Sequence, residues 1–286
     1  MRFKEILSVS KAEITFLVLV VAVTGFLSAP GSSGRIATLF PLLLAGALAS
    51  MSAGIFNNIY DMDIDARMRR TSSRKFYLDS RGSRRFFAYA TVMLAASIIV
   101  GLYFVNLLAT AFILLGFASY VFLYTVLLKR RTSWNIVIGG IAGSFPALAG
   151  WAAVSDSVSF TSLYIAMLVF IWTPTHFWSL AMGLKEDYNS AGVPMLPSVV
   201  SEGRASGYVL ANTAVLVGYT LLPLFISQIS VGQLYLPAAI IMDAFMIFLV
   251  LKAHLRLPDR KWFREAFHFS NLYLLVILVS VWWIVA

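Results

Sequence analysis

IATLFPLLLAGALASMSAGIFNNIYDMDIDARMRRTSSR, residues 36–74, changes character in mid-course. Its first part, 36–57, is apolar over the length an α-helix needs to cross a bilayer, about 20 residues at a rise of about 1.5 Å each. It then meets three aspartates, Asp61, Asp63 and Asp65, followed at once by Arg67, Arg69, Arg70 and Arg74. Carboxylates at a membrane boundary are costly to desolvate, so such a cluster is a functional candidate by default. Asn57, Asp61 and Asp65 are spaced four apart and lie along one stripe of a helix. Carboxylates stacked this closely repel one another unless a cation sits between them. The spacing asks for a divalent metal.

Apolar runs of similar length recur along all 286 residues. With 60% hydrophobic residues, 12% charged residues and a mean hydropathy of +0.84, the chain is an integral membrane protein and not a soluble domain. A membrane barrel would instead alternate in short segments. Nine spans are predicted, at roughly 13–30, 36–57, 86–105, 108–128, 136–154, 160–183, 207–227, 233–251 and 268–286. The expected architecture is an all-α bundle in one transmembrane domain over 1–286. It consists of two four-helix halves plus a ninth helix around a central cavity, each half bearing an acidic patch after its second helix. Two long loops, about 58–85 and 184–206, carry those patches and are read as a cytoplasmic cap over a site. The first run is too long, and lacks a small-residue cleavage site, to be a removable signal peptide.

Basic residues set the orientation. The tail and the loops after the even-numbered spans hold 21 of the 22 Lys and Arg, and Arg35 alone falls on the other side. The N-terminus is therefore expected in the cytoplasm and the C-terminus outside, in a multi-pass protein of the plasma membrane. The net charge of +9 follows from this asymmetry and suits anionic lipid headgroups, so it implies no nucleic-acid partner. The absence of cysteine excludes disulfides, thiolate metal sites and thioether-linked haem.

Magnesium is usually held by one or two carboxylates, with waters and substrate phosphate oxygens completing the shell. Asn57, Asp61 and Asp65 supply oxygens of that kind, and Arg67, Arg70 and Arg74 supply forks for phosphate. Metal, arginines and a greasy interior together describe a site for a lipid diphosphate. KEDYNSAGVPMLP (185–197) offers a second patch, with Asp187 as a further metal ligand and Lys185 as a phosphate contact. In YTVLLKRRTSWN (124–135), Lys129 is the candidate diphosphate contact and Tyr124 lies about a turn further in. IWTPTHFWSLAM (171–182) places Trp172 and His176 on one face beside Pro174, which frees backbone carbonyls; neutral imidazole is a common haem-iron ligand. GGIAGSFPALAGW (139–151) reads first as close helix packing, and Asp243, deep in a span, must be protonated or partnered.

The aspartate run from Asn57 and the arginines after it resemble the first motif of the UbiA superfamily of intramembrane prenyltransferases. YT-x-x-LKRRT, GG-x-x-G-x-FP-x-L-x-GW, WTP-x-HFW and KEDY-x-x-AGVPMLP resemble, more narrowly, the haem-farnesylating branch of that superfamily. These ordered blocks run from Asn57 to about Pro197, and FHFSNLYLL (267–275) agrees more weakly. Three positions depart from the pattern. Met62 stands where Arg is usual, Lys75 where Pro is common, and Thr175 replaces a second Pro; none removes a predicted metal ligand.

The resemblance implies farnesyl diphosphate as donor, a vinyl group of haem b as acceptor and Mg²⁺ as cofactor. It also implies a downstream haem-modifying enzyme or terminal oxidase as the protein partner to seek. A related enzyme acting on a quinone precursor or lipid is the near alternative, and His176 with the single second-motif aspartate Asp187 argues against it. A cation transporter would place its charges near the midplane of broken helices, whereas here only Asp243 is deep. A haem-binding subunit would need paired axial histidines, and only His176 of three lies deep in a span.

Overall fold

The computed structural model describes residues 9–68 and 80–282, with Ser80 and Arg81 as backbone only. Every regular element among them is helical. Helix α1 spans Ala12–Ser28, α2 Ile36–Tyr60, and α3 is the single turn Met62–Asp65. Helix α4 spans Ser80–Phe104, and α5, Leu107–Ala118, continues as a π-helix over Ser119–Leu128. Helices α6 (Asn135–Gly139) and α7 (Phe145–Ser155) form one span around a 3₁₀ turn at Gly140–Gly143. Helix α8 spans Phe160–Gly183; α9 (Lys185–Ala191) and α10 (Leu196–Val199) are short. Helices α11 (Glu202–Thr220), α12 (Tyr235–Leu255) and α13 (Lys261–Trp282) complete the bundle. Among the described residues eight helices are long and apolar enough to cross a membrane, and α1, with 17 residues, is a shorter apolar one.

Each of the nine predicted spans is met by a helix. Three of them start earlier than the apolar runs: α4 at 80 where 86 was expected, α11 at 202 for 207, and α13 at 261 for 268. Their first two turns carry Arg84 and Arg85, Glu202 and Arg204, and Lys261 and Arg264. Helical hydrogen bonds persist after the side chains turn polar, so hydropathy marks where the hydrocarbon ends and not where the helix does. The loop 184–206 is likewise not bare chain. It folds into α9, closed by Gly192 at φ +68, and α10, with Pro197 in its first turn.

Helices α1, α2, α4, α5 and the α6–α7 span pack in a ring, and α8, α11, α12 and α13 form a second one. The ninth span, α13, closes the second ring against α12 and α8 and also touches α1 of the first. The larger apolar core fills the second ring, around Leu168, Trp172, Met246 and Tyr273. Ion pairs and loop contacts gather at one end, where residues 61–68, 129–131, 185–190, 202 and 260 meet. At the other end Asn106 donates to the Ala152 carbonyl, and Gly232 N–H to the Val281 carbonyl.

The small-residue stretch packs as its composition suggested. A Cβ built on Gly150 would overlap the Ala22 carbonyl oxygen, and one on Gly25 would overlap that of Ala147. Helices α1 and α7 therefore touch backbone to backbone, the contact that small residues permit in a membrane. Asp243 is partnered by Tyr273 OH at 2.6 Å and Thr220 Oγ1 at 2.7 Å, which ties α12 to α13 and α11.

Gly150→Ala is expected to destabilise the protein by about 1–3 kcal/mol, the usual cost of overpacking. Gly218→Ala, where the added methyl meets nothing within 4 Å, should leave the melting temperature in detergent unchanged. Equal melting temperatures for the two variants would refute the close α1–α7 contact.

Candidate functional site

Helix α2 stops at Tyr60, yet the chain keeps helical spacing through the stop. Asp61 N–H donates to the Asn57 carbonyl at 2.9 Å, and Asp65 N–H to the Asp61 carbonyl at 2.8 Å. Asn57, Asp61 and Asp65 thus stay in file, and all three are buried. Asp61, only 1% exposed, needs partners to remain ionised. Its Oδ2 accepts from Asn57 Nδ2 at 2.8 Å and from Lys129 Nζ. Its Oδ1 is buried with no hydrogen-bond donor among the described residues, the Arg130 guanidinium standing off at 3.5 Å.

Lys129 reaches Asp61 because of the π-helix that precedes it. Lys129 N–H donates to the Tyr124 carbonyl, five residues back, at 2.8 Å, and Thr125 Oγ1 bonds the Tyr120 carbonyl at the same distance. Thr125 Oγ1 also receives Asn57 Nδ2 at 2.9 Å. The widened turn presents Thr125 to Asn57 and Lys129 to Asp61, a known use of π segments at functional sites. Tyr124 stacks on Tyr120 with ring centroids 5.7 Å apart and lies against Gly139, where a Cβ would come within 2.6 Å of its ring.

Arg130 forks onto Asp63, with Nη1 at 2.9 Å and Nη2 at 2.7 Å, and also bonds the Tyr60 carbonyl. That hydrogen-bonded pairing holds the Asp63 carboxyl below its usual range, outweighing a small opposing effect of burial. A lowered pKa means the pair stabilises the fold above the ordinary carboxylate range and stops doing so as pH falls through the lowered value.

The second patch sits on α9. At about 100° per residue, Asp187 points about 150° away from the midpoint of Lys185 and Glu186. Lys185 Nζ bonds Glu202 at 3.0 Å, and Arg260 bridges Glu202 at 2.7 Å and Glu186 at 3.1 Å. On the Asp187 side, Ser190 Oγ approaches the Arg67 carbonyl at 3.5 Å, so the two acidic loops meet. Lys185, expected as a phosphate contact, is thus engaged by Glu202, because the helical turn puts it on the opposite face from Asp187. The expected four-ligand set of Asn57, Asp61, Asp65 and Asp187 is not gathered around one point. Among the described residues no three carboxylates or imidazoles converge. Arg67 is exposed; Arg70 and Arg74 lie outside the described residues.

Trp172 and His176 do share a face, stacked at 4.3 Å and 21°. His176 Nδ1 lies 2.6 Å from Ser270 Oγ, and Trp172 Nε1 donates to the Ser270 carbonyl at 2.9 Å. Phe267 packs on the imidazole at 4.6 Å. At about 1.5 Å per residue, His176 is about 10 Å inward of Gly183, so this cluster sits deeper than the carboxylates. Helix α8 runs on through Pro174, with the Ile171 carbonyl capped by Asn212 at 2.8 Å.

The donor set fits a hard cation. Asp61 Oδ1 is a buried carboxylate oxygen with no hydrogen-bond donor among the described residues, and a buried acceptor left in that state costs about 1–3 kcal/mol. Two carboxylates at most are needed beside waters and phosphate oxygens. Sequence reading passed over Thr125, Tyr120 and Lys11. Thr125 sits inside a quoted motif; Lys11 was counted only as part of a basic tail.

Residues 18–272 match the UbiA prenyltransferase family. The chain is 53% identical, over 97% of its length and 96% of the relative's, to protoheme IX farnesyltransferase 2 of Picrophilus torridus. Among solved structures it resembles digeranylgeranylglyceryl phosphate synthase (TM-score 0.76, 16% identity, 98% of this chain and 96% of that one). A UbiA homologue from Archaeoglobus fulgidus bound to GPP and Mg²⁺ matches at TM-score 0.66, with 16% identity over 97% and 99% of the two chains. At such identities the structures speak for the fold alone.

Lys129→Met should strip a buried carboxylate of its cation and cost about 3–5 kcal/mol, with most of it recovered in the Lys129→Met/Asp61→Asn double variant. Asp63→Asn, at a carboxylate 56% exposed, should cost no more than about 1 kcal/mol. Thermal unfolding in detergent separates the two; similar losses would mean that Asp61 is not held in this way.

Proposed function

The chain belongs to the UbiA prenyltransferase family, and from that premise we propose that it transfers a farnesyl group from farnesyl diphosphate to a vinyl group of haem b. The observation that carries the reading is the buried Asn57–Asp61 pair with its unbonded oxygen, flanked by Lys129 and Arg130 at the basic end of the bundle. The acceptor rests on the relatives' activity. A fold shared with a lipid-phosphate synthase does not choose between acceptors.

Asn57, Asp61 and Asp65 would hold Mg²⁺, with Asp187 contributing from α9, and the bound ion would supply Lewis-acid neutralisation of the departing diphosphate. Lys129, Arg67, Arg70 and Arg74 set fixed positive charge around that diphosphate. The allylic C–O bond breaks and its electron pair leaves with the diphosphate. The vinyl carbon of haem then bonds the farnesyl C1, and water adds to the new cation beside the ring and loses a proton. Apolar walls keep water from the first cation. Lys185, through Glu202, holds α9 and with it Asp187. Tyr124, packed against Gly139, forms the inner wall beside the diphosphate end. Trp172 and His176 would line the acceptor side, with the imidazole oriented by Ser270 at Nδ1.

We read the basic end as the cytoplasmic one, after the rule that basic loops stay inside, with the C-terminus outside and the plasma membrane as the location. The product then serves a haem-modifying enzyme or a terminal oxidase. A cation transporter is disfavoured, since the deep Asp243 is fully engaged by Tyr273 and Thr220.

Purified protein given farnesyl diphosphate, haem b and Mg²⁺ should yield a haem heavier by one farnesyl group and one water. Asp61→Asn keeps an oxygen for Lys129 but should lower the rate by roughly a hundredfold or more, and a chelator should do the same. An Asp61→Asn enzyme with near-normal turnover would disprove the metal site. Prenylation of an aromatic acid with haem untouched would disprove the acceptor.

A further inference from the structure

Between α12 and α13, beside the connection that joins them at the charged end of the bundle, lies a groove of about 440 Å³. Phe245, Leu249 and Phe269 line its inner part, and Lys252, Lys261 and Trp262 line it nearer the connection. Phe245 and Phe248 are exposed on it, as are Ile241 and Leu272 close by, so this face of the bundle meets lipid. One indole gathers both lysines. The Lys252 ammonium stands 3.6 Å from the centroid of the Trp262 ring and 5.2 Å from that of Phe248, and the Lys261 ammonium 5.8 Å from Trp262. A ring face holds the charge of a cation but takes no strong hydrogen bond, so the N–H donors of these lysines can turn to an anion.

The neighbouring cations are used differently. Arg260 bridges Glu202 and Glu186, and Arg264 lies against Gly183 of α8. Lys252 and Lys261 instead face the groove, which Glu265 and His268 also line; two ammoniums and one carboxylate leave it positive with the imidazole neutral. Tryptophan belongs at the headgroup level of a membrane, and basic pockets between membrane helices suit anionic headgroups. We propose that this groove binds one anionic phospholipid, its phosphate on Lys252 and Lys261 and an acyl chain along Phe245, Phe248 and Phe269. A free phosphate would use the rim and leave the apolar floor idle. Prenyl transfer does not require such a site, so the inference goes beyond that reading. A lipid seated there braces the α12–α13 connection, from which Arg260 reaches Glu202 and Glu186.

The test is lipid retention by the purified full-length chain in a non-ionic detergent, read by native mass spectrometry. Phosphatidylglycerol and phosphatidylcholine with identical acyl chains are titrated separately. The native chain should hold phosphatidylglycerol roughly tenfold more tightly. Lys252→Gln and Lys261→Gln should each lose about fivefold in phosphatidylglycerol affinity and leave phosphatidylcholine as it was. Lys261 is exposed, so its variant tests the site independently of any effect of Lys252→Gln on folding. Lys252→Arg keeps the charge and stacks on Trp262, and should stay within about twofold of the native chain. Arg256→Gln removes a charge from the same end but outside the groove, and should alter neither lipid. Equal retention of the two lipids by the native chain, or equal losses in Arg256→Gln and Lys252→Gln, would mean a generally basic surface and overturn the site. Displacement of the lipid by inorganic phosphate would also overturn it, marking the rim as a place for soluble anions.

Discussion

A carboxylate taken out of water has to be answered by its neighbours, and Asp61 is hydrogen-bonded on one oxygen only among the described residues. Lys129 and Asn57 converge on Oδ2, and among the described residues Oδ1 has no hydrogen-bond donor, only the Arg130 guanidinium at 3.5 Å. Much of the local architecture is arranged around that demand. The π-helix exists where Thr125 and Lys129 must meet the end of α2. Arg130 is spent on Asp63 and the Tyr60 carbonyl, so it closes the helix stop and approaches Asp61 without saturating it. Gly54 and Asn58 hold the turn before α1, from which the Lys11 ammonium reaches Asn57 Oδ1.

Asp243 shows what a merely structural buried aspartate looks like in the same chain. Both of its oxygens receive hydroxyl donors, from Tyr273 and Thr220, and the network extends to Tyr235 and Tyr164 through the Thr220 carbonyl. Nothing is left over for a ligand. The difference between the two aspartates is one of accounting for lone pairs, and depth in the membrane does not produce it. Full satisfaction fixes helices together; partial satisfaction keeps binding capacity in reserve.

The helices were legible because hydropathy at helix length is a strong signal, and Gly150 within GGIAGSFPALAGW was readable as a packing position. The i, i+4 file of Asn57, Asp61 and Asp65 was legible for the same reason, being local. What the sequence hid was non-local or depended on backbone irregularity. A π segment has no composition of its own, so SYVFLYTVLL reads as ordinary helix and Thr125 as filler. Lys185 looked like a phosphate contact because sequence adjacency to Asp187 says nothing of the roughly 200° that separate them on a helix. Its partner Glu202 and their bridge Arg260 lie 17 and more residues on. Lys11 was hidden by its own company, one basic residue in a tail of several.

The proposed reading puts the donor's diphosphate and the acceptor at different depths. A diphosphate keeps its charge only beside water, cations and the ends of helices, which the bundle offers where α2, the π-helix and α9 meet. An isoprenoid chain and a flat macrocycle need the opposite. On the proposed reading that environment lies inward, where Trp172, His176 and Phe267 stack between α8 and α13 and Ser270 engages the imidazole Nδ1. Helix α8 connects the two zones: Gly183 ends it beside α9, and His176 stands about 10 Å up the same rod. On that reading the bond to be broken would lie at the boundary between the charged end and the dry interior, with the diphosphate on the Lys129 side and the carbon cation on the aromatic side.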